Sequence, residues 1–164
     1  MDLRELQDAY LKEQRKVTED KIQVGSLFRT VLSEDDGLCF KDGRTRKPKR
    51  LIIIGFDKNV ALCYGSILVN TRLSPRAEFS YEFLTAQYLL KKEDYPEFLD
   101  YNSYVDCGVI FPISIEKLLN GEYFGQLNDT DQEAIFKILE TTETLSTKQK
   151  KQYGIRRRGF GSDK

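Results

Sequence analysis

Four residues stand out in this 164-residue chain as groups whose types and spacing could do chemistry. Lys49 and Arg50 lead into an apolar run at 51–56 (LIIIGF), and Thr71 and Arg72 follow a second run at 60–70 (VALCYGSILVN). If the two runs pair as a hairpin around the turn at 57–59, all four residues lie at one end of it. Cations there would neutralise charge developing at phosphorus, and a hydroxyl would position a phosphate oxygen, so the cluster suits an RNA phosphodiester. The 2′-hydroxyl of RNA can be the nucleophile, which makes neither a histidine nor a metal obligatory. The same residues also read as the ordinary basic ends of a hairpin.

Other chemistries are poorly served. The chain has no histidine, which excludes His-based triads and most zinc hydrolases. Its three cysteines, Cys39, Cys63 and Cys107, contain no C-x-x-C and read as small residues in strands rather than as a disulfide framework or zinc site. There is no P-loop, dinucleotide fingerprint or G-x-S-x-G elbow. The carboxylate pairs Asp35/Asp36, Glu93/Asp94 and Asp129/Asp131 fall in turns or at a helix start, where solvation and capping explain them. No metal or cofactor is called for.

Charge is balanced overall, with 26 basic and 26 acidic residues, but not along the chain. Residues 41–50 (KDGRTRKPKR) hold six basic residues against one aspartate, and 148–164 hold seven against one. The rest is correspondingly acidic, a distribution that suits a polyanion-binding region on an acidic body. Arg44, Arg46, Lys47 and Arg72 are the candidate RNA contacts around the cluster. No apolar run approaches the ~20 residues of a membrane span. The charged N-terminus has no signal-peptide core, so a cytoplasmic protein is expected.

The elements that must position these groups follow from pattern. A helix is expected near 3–18, with Leu3, Leu6, Tyr10 and Val17 near one face. Residues 26–33 (SLFRTVLS) read as a strand, 34–50 as a long polar loop, and 51–56 with 60–70 as a hairpin of buried strands. Residues 79–90 are ambiguous between strand and helix, and 104–113 resume strand character. Ser114 caps a short helix at 115–120, and a capping box at 130–133 opens an amphipathic helix over 131–145. Strands between a helical start and a helical end predict a mainly β protein with flanking helices (α+β), a small barrel or rolled sheet. The divisions are a helical extension over 1–23, a barrel domain over 24–147, and a basic, disordered tail over 148–164.

The order of these features resembles the MazF/PemK family of toxin endoribonucleases. The points of likeness are Gly25-Ser26-Leu27-Phe28, the basic entry to an apolar strand at 46–54 (RKPKRLIII), and Val69-Asn70-Thr71. Further along come Ser103-Tyr104-Val105-Asp106, ISIEKL at 113–118, Gly125-Gln126-Leu127 and the final amphipathic helix. The resemblance covers about residues 24–145. It implies an SH3-like barrel with helices, a homodimer, and metal-independent cleavage of single-stranded RNA opposed by an antitoxin; the N-terminal helix and the basic tail are additions to it. The family's catalytic arginine maps to Lys49, because Arg50 stands where the family has proline, and its catalytic Thr/Ser maps to Thr71. Lysine cannot offer the bidentate fork that arginine gives a phosphate. Arg50 substitutes only if the strand register slips by one, which reverses the face each side chain occupies. If active, the protein would leave 2′,3′-cyclic phosphate or 3′-phosphate ends. The alternative is a non-catalytic barrel that binds nucleic acid or a protein partner, as a mobile element could encode.

Overall fold

The run at 51–56 is apolar at nearly every position because both faces of its strand are covered. Leu51 and Ile53 are fully buried in one cluster with Phe28, Leu32, Cys63, Ile67, Ile113 and Leu118. Ile52 and Ile54 are buried in a second, with Leu27, Tyr64, Leu68, Val105, Ile135 and Leu139. Alternate residues of the central strands thus feed two cores, one on each side of a sheet.

The computed structural model describes residues 2–14, 17–38, 45–57, 59–70 and 81–155. The elements are α1 (Leu3–Gln14), β1 (Ser26–Ser33), β2 (Arg46–Asp57), β3 (Leu62–Asn70), α2 (Tyr81–Thr85) and β4 (Gln87–Leu90). They continue with β5 (Ser103–Asp106), β6 (Phe111–Ser114), α3 (Ile115–Leu119), β7 (Glu122–Gln126), α4 (Asp129–Thr141) and α5 (Thr147–Gln152). The strands form one mainly antiparallel sheet in the order β4-β5-β3-β2-β1-β7, with β6 added beside β3. β3 is shared along its length: residues 62–65 pair with β6, and 68–70 pair with β5. Among the described residues no pairing joins β7 back to the far edge, so the sheet is open. α4 and α5 lie on one side of it, α3 and the segment carrying Val17 and Ile22 on the other.

β1 and the β2–β3 hairpin match the sequence expectation, and the remaining differences have local causes. Residues 46–50, expected as loop, belong to β2 because β1 supplies a partner for each of them, from Ser33↔Arg46 to Arg29↔Arg50. Pro48 is tolerated there because the β2–β3 ladder stops at Leu51↔Ile67, leaving that end of β2 paired on one side only among the described residues. The stretch 104–113 is two strands, since residues 107–110 turn away between β5 and β6. The ambiguous 79–90 holds both a helical turn and a strand. The expected capping box at 130–133 is not the cap of α4; the Asn128 side chain accepts from Asp131 N instead, at 2.7 Å. β7 lies in a stretch read for its Gly-x-Leu element rather than as a strand. It is held through Gly25, whose N–H donates to Ile53 O and whose carbonyl accepts from Leu127 N. Gly25 has φ +89°, which favours glycine there.

The basic segment from 148 onward enters the fold as far as Ile155, against the expectation of disorder. Ser146 caps α5 in a capping box with Gln149. The Tyr153 ring meets Tyr64 at 4.7 Å between centroids, and Ile155 is buried in the second core. Residues 156–164 lie outside the described residues.

Candidate nucleic-acid interface

Strand alternation splits the basic run between the two faces of the sheet. Directly opposed residues of an antiparallel pair share a face. Arg46, Pro48 and Arg50 therefore face the same way as their partners Ser33, Val31 and Arg29, while Lys47 and Lys49 face the other way with Leu32 and Thr30. Lys49 and Arg50 point to opposite sides of β2 and do not converge on one phosphate. The register leaves no room for Arg50 to take the place of Lys49 on the same face.

The arginine side carries a charged row across the sheet. Glu122 on β7, Arg29 on β1 and Arg50 on β2 are consecutive cross-strand partners. Like charges set directly opposite destabilise a sheet, and here a carboxylate closes each end of the row. Arg29 Nη1 lies 3.5 Å from Glu122 Oε1, and Arg50 Nη2 lies 2.7 Å from Asp100 Oδ2. Arg50 Nε also donates to the Phe98 carbonyl at 2.6 Å. A guanidinium has five N–H donors. These two contacts fix the plane of Arg50 against described residues and leave Nη1 for an anion. Beyond the row, Val31 and Pro48 are exposed, followed by the exposed Arg46. Exposed ion pairs of this kind contribute little stability, so the row is better explained by what it presents than by what it holds together.

The lysine side is occupied differently. Thr30 is buried, and its hydroxyl donates to the Lys117 carbonyl at 2.8 Å, which seats α3 against β1. The Lys117 ammonium contacts Asp36 and lies 3.4 Å from Ser33 Oγ. Lys47 and Lys49 are half-buried beside this packing and are themselves engaged. Back on the arginine side, an open cavity of about 570 Å³ at the end of β1, lined by Val31, Ser33 and Arg46, also takes in Lys117, Glu34 and Asp35, a charge balance without a preferred ligand sign.

Thr71, Arg72 and Arg44 lie outside the described residues. The last described position before Thr71 and Arg72, Asn70, pairs with Ser103 of β5. Arg29, Asp100 and Glu122 were not among the residues singled out from the sequence. Arg29 was legible as the lone cation in the strand SLFRTVLS, whereas Asp100 comes from a turn whose position only the fold defines.

Elsewhere, burial pushes the Cys63 thiol up to about 11 and the Cys107 thiol higher still, so neither is a ready nucleophile. Tyr88 and Tyr95 both donate to Asp131, at 2.6 Å each, tying α4 to β4 and the turn after it. Among the described residues no three His, Cys, Asp or Glu side chains group to hold a metal ion, and no helix is long and apolar enough to cross a membrane. No protein-family profile matches the chain, and no curated protein sequence matches it.

Proposed function

We propose that this protein is a MazF/PemK-like cytoplasmic domain, its open sheet a variant of the SH3-like barrel, that acts on single-stranded RNA through the arginine face. The observation that carries the reading is the side-by-side placement of Arg29 and Arg50, with Arg46 further along the same face. A flexible, single-stranded polyanion can lay successive phosphates along such a row. Arg50 is the phosphate-facing donor, oriented by Asp100 and the Phe98 carbonyl. In the cleaving version the RNA 2′-hydroxyl gives its proton to solvent and attacks the adjacent phosphorus to form the 2′,3′-cyclic phosphate, the P–O5′ bond breaks with the 5′-oxygen taking a proton from solvent, and Arg50 stabilises the charge that builds on the phosphate oxygens. Thr71 is the candidate for positioning one of those oxygens. A cognate antitoxin and homodimerisation belong to the same proposal.

A second reading, an RNA-binding module that does not cut, is favoured by the division of Lys49 and Arg50 between opposite faces, since the pair cannot serve one transition state. Incubating the purified protein with a long RNA in EDTA, followed by end-group analysis, separates the two. Fragments ending in 2′,3′-cyclic phosphate or 3′-phosphate support cleavage; RNA that is bound but intact supports the module; RNA that is neither bound nor cut removes both.

A further inference from the structure

We infer that the groove beside Arg50, where the turn at 94–98 crosses the end of β7, is a nucleobase subsite that selects guanine. The inference rests on the reading of the arginine face as an RNA-binding surface and adds the base to which that surface is tuned. The groove has a volume of about 410 Å³, and its lining includes Asp94, Glu97, Phe98, Phe124, Gly125 and Asn128. Phe98 joins it to the arginine row, because its carbonyl is the group that accepts from Arg50 Nε. A phosphate held on Arg50 therefore lies next to the groove mouth.

The lining suits a flat heterocycle. The Phe98 and Phe124 rings meet at 5.5 Å between centroids, and Phe124 is only half-buried, so aromatic surface faces the groove. Aromatic faces accept any base by stacking. Gly125 has φ +105° and no atom within 4 Å of where a Cβ would sit, leaving that wall open. Selection must come from the polar groups. Glu97 is exposed and makes no hydrogen bond or ion pair with a described residue, and a carboxylate offers two acceptors and no donor. Guanine alone among the four RNA bases presents two adjacent donors, N1–H and N2–H₂, matched to two carboxylate oxygens. Uracil presents one N–H between two carbonyls, while adenine and cytosine set their amino group beside a ring-nitrogen acceptor. The Asn128 side-chain oxygen is already used in capping α4, so its amide N–H₂ is the group available for the guanine O6 edge.

The test is fluorescence anisotropy of the full chain with three short labelled oligonucleotides: all uridine, uridine with one guanosine, and uridine with one inosine, which keeps N1–H and lacks the amino group. The expected result is about tenfold or tighter binding of the guanosine oligonucleotide over all-uridine, with inosine between them. Glu97→Gln, at an exposed position, should erase the guanosine preference and leave all-uridine binding in place. Equal binding of the three, each weakened by Arg50→Ala, overturns the subsite while the arginine face stands. A guanosine preference that survives Glu97→Gln also overturns it. If no oligonucleotide binds, the reading of the arginine face fails and the subsite with it.

Discussion

Gly55 and Tyr153 touch backbone to backbone: a Cβ placed on Gly55 would stand 2.3 Å from the Tyr153 carbonyl oxygen. Gly55 follows the irregularity in the β2–β3 ladder between Ile53 and Gly55, so the end of α5 rests on the strand where its pairing is already interrupted. A glycine exchanged for alanine at an unstrained, roomy site gains stability by restricting the unfolded chain. Here the nearest atom is backbone and cannot swing away. Gly55→Ala should instead cost about 1–3 kcal/mol, the range for overfilling a packed site. Urea denaturation measures the loss, and limited proteolysis should show residues 148–155 cut faster than in the unmodified protein.

Asp131 is shared by two phenols, and removing either one tests how much α4 depends on them. Tyr95 is buried and also accepts from Asn128 N at 3.1 Å, whereas Tyr88 is more exposed. Tyr95→Phe should cost about 1.5–3 kcal/mol, the range for a hydrogen bond to a charged group, and Tyr88→Phe less. Because the two share one carboxylate, their effects should not add in a double mutant. Burial, and then the bond to Asp131, push Tyr88 up to about 12 and push Tyr95 up as well. A phenol whose folded value is raised stabilises the fold below the ordinary value of 10 and loses that contribution as pH climbs toward 12. Stability measured between pH 9 and 11.5 should therefore fall less steeply in the double Phe variant.

Asp106 gives a second pH dependence. Burial pushes its carboxyl up, and hydrogen bonds from Gly108 N and the Gln87 amide pull only partly the other way. An acid raised on folding favours the folded state below its unfolded value of 3.8, and that contribution is lost as pH rises through the folded value. Asp106→Asn keeps an acceptor for both donors and removes the charge. Its Tm should exceed that of the unmodified protein at pH 7, with the gain shrinking toward zero below about pH 3.8. A gain independent of pH would show that charge is not the cause.

The division of the basic run between faces predicts unequal effects on RNA. Arg50→Ala and Arg29→Ala should each weaken binding and lower the slope of log K against log salt by about 0.7 for every phosphate no longer neutralised. Lys49→Ala should leave that slope nearly unchanged. Equal losses for Lys49 and Arg50 in filter binding across 50–300 mM salt would place the RNA around the start of β2 rather than on one side of it.

The hairpin and β1 were legible in the sequence because uninterrupted or β-rich apolar runs bounded by turn residues leave few alternatives. The start of β2 was not, since nothing local in RKPKR favours a strand; Ser33 and its neighbours in β1 impose it from a distance. The same blindness affected the site. Lys49 and Arg50 are adjacent in sequence and looked like one cluster, yet adjacency on a strand means opposite faces. Arg29 and Glu122 are far apart in the chain and become neighbours only through the β1–β7 pairing. α5 was missed because its composition, TKQKKQ, is that of a solvated tail; its anchors are Tyr153 and Ile155, two residues among many charges.

The pairing of β1 with β7 also bears on how the chain is made. Ser26 and its partner Gln126 are 100 residues apart, and the Gln126 amide donates to the Ser26 hydroxyl at 2.6 Å. β2 and β3, by contrast, meet across a short turn as soon as both leave the ribosome. During synthesis β1 can pair with β2 early, but its other edge stays open until residues 122–126 emerge. An exposed strand edge is a template for the wrong partner, and long-range pairings form late. A ribosome stalled between residues 70 and 102 would therefore display β1–β3 with both outer edges unpaired, β1 awaiting β7 and β3 awaiting β5 and β6, which makes that interval of translation the protein's most vulnerable to misassembly.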